Sequence, residues 1–377
     1  MKILFFANTD WYLYNFRRSL ALELQDAGYE VLLTSPPGPY SERLQALGPR
    51  WQPAPMDRRS LNPWRELRLL VWLVQLVQRE DIALVHGFTI KCVVYGAVAA
   101  RLAGACPRVS AVAGLGYVFT SQSLKARLLR PIVRALLRIA LGGRRSRLIL
   151  QNPDDARLFE TAGLIDPGHI RLIPGSGVDT SRFLPSSQAL PSRPFRVVLP
   201  ARLLWDKGVG ELVEAARILQ KRGVDVAILL AGEPDPRNPA TVPAEKLEEW
   251  QAAGWIEWLG KADNMPGLFQ SVHAVALPTF YGEGLPKSLI EAAACALPLI
   301  ATDVPGCREV ITHEIDGLLI TPRDSQALAD AIERLASDPE LCRRLGEAAR
   351  RKAIAEFDER IVIERTMAVY DELLAEL

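Results

Sequence analysis

The chain is poor in cysteine and has no apolar run long enough to leave water. Its five cysteines, Cys92, Cys106, Cys295, Cys307 and Cys342, form no C-x-x-C pair, are odd in number and lie mostly in apolar segments. That argues against a disulfide framework and a structural zinc site, and fits a reducing compartment. The longest apolar stretch, LRLLVWLVQLVQ from Leu67, is interrupted by Gln75 and Gln78 and is too short to span a bilayer. The opening MKILFFANTD has no basic start, long apolar core or small-residue cleavage site, so a secretory leader is not expected. Low-complexity and highly charged blocks are also absent, which excludes a disordered chain. No G-x-G-x-x-G follows the first apolar run, which counts against a dinucleotide-dependent oxidoreductase.

What is present is a globular composition, 49% hydrophobic and 24% charged, over 377 residues. That length exceeds one ordinary core, and two domains of roughly 180 residues each are expected. The net charge of +1 hides a polarity: residues 1–185 carry 24 Lys and Arg against 14 Asp and Glu, and the remainder 21 against 30. A basic first half of this kind suits an anionic surface or substrate.

Short apolar runs alternate with amphipathic segments throughout. Strand 2–8, a helix over 14–28 stopped by glycine, strand YEVLLTS, helix 41–47, strand 51–56, helix 64–78, strand IALVHGF, helix KCVVYGAVAARLAG and strand PRVSAVAG follow one another. A loop at 114–117, a basic helix over about 123–141, strand SRLILQN, helix PDDARLFETAG and strand HIRLIPG complete the series. This is the βα alternation of a doubly wound parallel sheet. A Ser- and Pro-rich stretch then leads to a fresh start at FRVVLPA, where the alternation begins again. The boundaries set an N-terminal domain at 1–180, with a last helix, 358–377, packing back on it, and a C-terminal domain at 181–357. Two Rossmann-like domains would place the carboxyl ends of their strands at a central cleft between them.

Pro278 to Ile300, PTFYGEGLPKSLIEAAACALPLI, holds the densest chemistry. A buried strand, a glycine-containing loop, a helix and a second strand in that order aim a helix N-terminus over the sheet edge. Amides from Gly284 to Ser288, with the helix dipole behind them, suit a phosphate, and Glu283 and Glu291 suit sugar hydroxyls. A nucleotide sugar has both features. Two Glu beside a helix start are also an ordinary capping or solvated arrangement.

At four separated places the chain resembles the GT-B glycosyltransferases of the retaining family 4. The places are Ala201-Arg202-Leu203-Leu204-Trp205-Asp206-Lys207-Gly208, then Gly177-Val178-Asp179 with Phe183, Leu259-Gly260, and Glu283-Gly284-Leu285-Pro286 with Glu291. Within the family, ARLLWDKG, the SLNP of Ser60–Pro63 and GLGYVFTSQSLKARLLR at 114–130 are most similar to bacterial transferases that extend a sugar on a polyprenyl-diphosphate carrier. The resemblance implies a retaining transferase that moves a sugar, an N-acetylhexosamine, from a UDP-sugar to a polyprenyl-diphosphate-linked sugar acceptor in surface-glycan or glycoprotein-glycan assembly. It implies that Arg202 and Lys207 grip the donor diphosphate, that Glu283 meets the donor sugar and Glu291 the ribose, that backbone at Gly260 and Lys261 receives the base, and that Gly284, Leu285, Pro286 and Ser288 line the donor site. Fixed cations there would stabilise the charge that develops on the leaving nucleoside diphosphate.

No Asp-x-Asp occurs, which removes the usual carboxylate pair that holds a metal on such a diphosphate, so neither a metal nor another cofactor is expected. The first half departs from the family in two ways: the loop Asn8-Thr9-Asp10-Trp11-Tyr12 lacks glycine, and His86 is followed by Phe88 where relatives often carry a second histidine. His86 is a catalytic candidate beside Glu283 and Lys207; a histidine closing a buried strand is equally a core residue. Arg58, Arg59, Lys91, Gly114 and Gly116 are acceptor-site candidates. The basic helix, with Arg127, Arg130, Arg134 and Arg138 flanking apolar residues, is a candidate for an anionic membrane surface, which would place the protein on the inner face of the cell membrane; its ordinary reading is a helix with its apolar side in the core. The alternatives are a GT-B-shaped UDP-sugar epimerase or hydrolase acting without an acceptor, and a carbohydrate-binding protein with a decayed donor site.

Overall fold

In the computed structural model the βα alternation becomes two all-parallel sheets. The structure describes residues 1–58, 60, 62–112, 124–188, 191, 193–236 and 238–375, with the backbone alone for 124–129. The chain divides into two units, Met1–Ser176 together with Arg360–Leu377, and Gly177–Glu359.

The first unit runs β1 (Lys2–Phe6), α1 (Asp10–Phe16), α2 (Arg18–Asp26), β2 (Glu30–Ser35), α3 (Ser41–Gln45), β3 (Arg50–Pro53), α4 (Pro63–Arg79), β4 (Ile82–Phe88), α5 (Ile90–Leu102), β5 (Arg108–Ala111), α6 (Leu124–Leu141), β6 (Ser146–Leu150), α7 (Pro153–Thr161) and β7 (Ile170–Leu172). Its seven strands lie in the order β3-β2-β1-β4-β5-β6-β7. The order reverses between β1 and β4, the place where doubly wound sheets open a crevice. Alternation along β1 decides which helices cover which face: Ile3 and Phe5 join α2, whereas Phe6 joins Leu69 and Leu73 of α4 and Cys92 of α5. Across α5, Val93 and Val94 meet Leu137, Ala140 and Leu141 of α6, so α4, α5 and α6 form one layer.

The second unit runs β8 (Phe195–Pro200), α8 (Val209–Lys221), β9 (Val226–Ala231), α9 (Ala244–Ala252), β10 (Glu257–Gly260), α10 (Met265–Phe269), β11 (Ala274–Leu277), α11 (Lys287–Ala294), β12 (Leu299–Thr302), α12 (Cys307–Val310), β13 (Leu318–Ile320), α13 (Ser325–Ser337) and α14 (Pro339–Glu356). Its six strands lie in the order β10-β9-β8-β11-β12-β13. The final helix, α15 (Glu359–Leu374), returns to the first unit. There Val362, Ile363, Val369, Tyr370 and Leu373 complete the core around Ile3 and Phe5.

Local chemistry moves some boundaries from those the sequence suggests. The stretch 8–12, expected as a loop, starts a helix: the Thr9 hydroxyl accepts from the Tyr12 amide at 3.1 Å, an N-cap bond that satisfies one orphan donor. The single helix expected over 14–28 breaks at Arg17, whose backbone (φ −130°, ψ −3°) is not helical. In the second unit α12 and the three-residue β13 have no counterpart in the sequence reading, because so short a strand gives no periodicity to detect.

Candidate functional site

Around the carboxyl ends of β8 and β11, two loops are pressed together. Gly208 closes the turn after β8 with φ +77°, and a Cβ there would sit 2.1 Å from the Pro278 carbonyl oxygen; only glycine fits both demands. The Phe280 amide donates to the Asp206 carbonyl at 3.1 Å, and the buried Thr279 hydroxyl donates to the same carbonyl at 2.9 Å. These bonds bring Lys207 to Glu283, and the two form an ion pair whose side chains are only 17% and 16% exposed. Glu283 Oε1 also lies 3.3 Å from the Thr279 hydroxyl. Gly306, with φ +91°, brings the start of α12 under the same loop: a Cβ there would meet the Gly284 oxygen at 2.4 Å.

α11 follows this loop, and Pro286 at its N-cap contributes no side-chain cap. The helix therefore presents its positive end at the loop that carries Glu283. Lys287 donates to the Gly177 carbonyl at 3.2 Å and stands 3.8 Å from Glu291. Glu291 is buried, 9% exposed, and burial raises its pKa while Lys287 and Arg182 pull it down. Cys307, at the start of α12, is pushed far up by burial and by the Glu283 carboxylate, so it is an inert thiol. Arg202 is exposed and reaches Asp235 at 3.3 Å. Lys261 pairs with Asp263 at 3.1 Å beside Gly260, which has φ +66° and open space where a Cβ would be. Among the described residues no group of three or more His, Cys, Asp or Glu could hold a metal.

The family profile described as "Glycosyl transferases group 1" matches residues 181–352, which hold all of this geometry but the Gly177 carbonyl, and "Glycosyl transferase 4-like" matches residues 2–152. The chain belongs to the group 1, family 4 glycosyltransferases. Among relatives of this glycosyltransferase is N,N'-diacetylbacillosaminyl-diphospho-undecaprenol alpha-1,3-N-acetylgalactosaminyltransferase of Campylobacter jejuni, 28% identical over 99% of each chain. Another is UDP-Gal:alpha-D-GlcNAc-diphosphoundecaprenol alpha-1,3-galactosyltransferase of Escherichia coli, 25% identical over 74% of this chain and 73% of that one. The fold is GT-B, like Anabaena HepE in complex with UDP (21% identity, TM-score 0.77, 100% of both chains) and sucrose-phosphate synthase of Thermosynechococcus elongatus (22%, TM-score 0.81, 100% of both).

The first unit of the glycosyltransferase departs from the sequence expectations. His86 is 1% exposed, its ring 4.0 Å from Phe88 and 5.6 Å from Phe5. Its Nδ1 is 2.5 Å from the Tyr370 hydroxyl of α15. Burial, aided by Arg17, holds its pKa well below the ordinary value. It is a neutral core histidine rather than a group open to substrate, and the catalytic expectation is corrected accordingly. Lys91 is not a solvated lysine: its ammonium donates to the carbonyls of Asp57 and Ser60 at 2.8 and 3.1 Å and to Glu66 at 2.8 Å. It clamps the loop before α4.

Arg58 is exposed; Arg59, Gly114 and Gly116 lie outside the described residues, as does the Arg127 side chain. Arg130 is half-buried and Arg134 exposed, while Arg138 is committed, donating at 2.9 Å to the carbonyls of Ala162 and Gly163 that end α7. Sequence reasoning missed Thr279, Asp235 and Arg182, whose types are unremarkable, and Arg17, which is 5% exposed with its guanidinium 4.5 Å from the Phe88 ring.

Proposed function

We propose that this glycosyltransferase moves an N-acetylhexosamine from a UDP-sugar to a sugar carried on a polyprenyl diphosphate, with retention, without a metal, at the inner face of the cell membrane. The reading is carried by the partly buried Lys207–Glu283 pair beside the N-terminus of α11, where Pro286 contributes no side-chain cap. In it, the second unit takes the donor and the first unit the acceptor. Lys207 and Arg202 neutralise the diphosphate, the amides from Gly284 to Ser288 add the helix field, Glu283 receives a donor-sugar hydroxyl, Glu291 the ribose, and Gly260 and Lys261 the base. Relatives that act on diphospho-undecaprenol sugars support the acceptor class.

Retention calls for either a carboxylate nucleophile or attack from the face of departure. Glu283 is held by Lys207, a poor state for a nucleophile, so same-face attack is favoured. The acceptor hydroxyl oxygen bonds to the anomeric carbon, the carbon–oxygen bond to UDP breaks, and the hydroxyl proton passes to the departing phosphate. Three measurements test this. UDP release from a UDP-N-acetylhexosamine should require a polyprenyl-diphosphate sugar; release at equal rate without it would favour a hydrolase or epimerase. Chelator should leave turnover unchanged, and restoration by magnesium after chelation would end the metal-free reading. A trapped covalent glycosyl-enzyme would end same-face attack.

A further inference from the structure

α4 has two apolar faces, and only one is used. Leu69, Leu73, Leu76 and Val77 are buried against the sheet layer. Trp64, Leu67 and Val71 are 79%, 51% and 47% exposed. Their spacing of three and then four residues puts them in one stripe on the outer side. A contiguous exposed apolar stripe, unlike a single exposed apolar residue, marks an interaction surface. On α6, the other flank of α5, a second stripe repeats the pattern: Ile132, Leu136 and Ile139 are 57%, 42% and 52% exposed, while Leu137, Ala140 and Leu141 are buried.

Charge on this layer has one sign. α4, α5 and α6 together carry ten Lys and Arg and a single acid, Glu66, which is itself bound by Lys91. Arg65 and Arg68 flank the Trp64 stripe and are exposed, Arg65 lying 3.5 Å from Asp57; Arg134 flanks the α6 stripe. No described helix is long and apolar enough to cross a membrane. Apolar stripes set between cations, with a tryptophan at one end, match the boundary between anionic headgroups and acyl chains. They match a second copy of this chain poorly, since two such faces would bring like charges together.

We propose that the outer face of α4, led by Trp64, Leu67 and Val71, docks into an anionic phospholipid leaflet and shares that surface with the stripe on α6. The proposal extends the membrane-bound acceptor of the proposed function, but its test does not depend on transfer. The full chain is incubated with vesicles of phosphatidylcholine plus phosphatidylglycerol, and with phosphatidylcholine alone, and the bound fraction is read by flotation. The intact protein should float with the anionic vesicles and lose that binding at high salt. W64S/L67S/V71S should weaken partition by at least about tenfold while still melting cooperatively, because none of the three side chains lies in the buried core. R68E/R134E should weaken it by a similar factor without touching an apolar residue, which guards against a folding defect in the first variant.

Parent-like flotation of W64S/L67S/V71S overturns the proposal, as does failure of the parent to float. Self-association of the parent that the triple variant abolishes, with no vesicle binding in either, assigns the face to a second copy and also overturns it. Transfer to a short-chain, water-soluble diphosphate-linked acceptor is assayed in parallel. Its persistence in W64S/L67S/V71S supports a purely docking role. Its absence in the parent sinks the transferase reading while leaving the vesicle result to stand alone.

Discussion

Lys207 and Glu283 hold each other in a partly buried ion pair. Removing either should leave the other poorly placed, so Lys207→Ala and Glu283→Gln should each lower kcat/KM by roughly 10²–10³-fold, and the double variant should lose far less than the product. Steady-state kinetics of the four proteins checks this. Gly208→Ala combines a positive φ with a Cβ 2.1 Å from the Pro278 carbonyl oxygen and should destabilise the protein by about 2–3 kcal/mol in urea unfolding. His86 makes a pH prediction. Its folded pKa lies well below the ordinary 6.5 because of burial and then Arg17, so in acid the unfolded chain takes up a proton that the folded chain refuses. The stability this contributes is present above the unfolded pKa and is lost as pH falls below it. The drop in unfolding free energy between about pH 7 and pH 5 should therefore be smaller in His86→Gln than in the parent. Residue types drew the eye to the Glu283 loop, but partners are not legible in the same way: Tyr370, which holds His86, stands 284 positions away, and nothing near His86 in sequence points to it.

At the scale of elements, long periodic segments were legible and short ones were not. β4 and α6 stand close to where alternation and the 3.6-residue repeat put them, because both carry strong patterns into the core. The start of α1 is set by one capping hydroxyl, Thr9, in a run of polar and aromatic residues that carries no helical period of its own. The break at Arg17 is tertiary, set where its guanidinium lies over Phe88. A helix rich in arginine does not reveal which arginine is employed. Arg138 closes the carbonyl end of α7, so Arg138→Glu should lower the thermal midpoint, at a cost of about 1 kcal/mol, whereas the exposed Arg134→Glu should not. A charge-reversal test of membrane contact that includes Arg138 would confuse folding with docking.

Over the whole molecule, the two units differ in how the chain supplies them. The second is continuous from Gly177 to Glu359, whereas the first needs residues from both ends. A fragment of 177–359 should fold alone and bind UDP by calorimetry, with K207A abolishing the heat. A fragment of 1–176 should not give a cooperative melt, because Ile3 and Phe5 would lose the cover of Val362, Val369 and Tyr370. The division into a basic first half and an acidic second half was visible in the sequence, and so was the second sheet's fresh start at Phe195. That one helix from the far end belongs to the first sheet's core was an expectation that its own pattern could not carry, since its partners Ile3 and Phe5 stand at the other end of the sequence.

The return of α15 bears on synthesis. Ribosomes deliver the first unit's strands before the second's, yet the sheet made earlier waits for α15, which is made after the whole of the second unit, while the later sheet has every strand in hand as soon as Glu359 emerges. Maturation should thus run against the order of translation, and a nascent chain arrested after Glu359 but before α15 is free would hold one finished unit and one still lacking a side of its core.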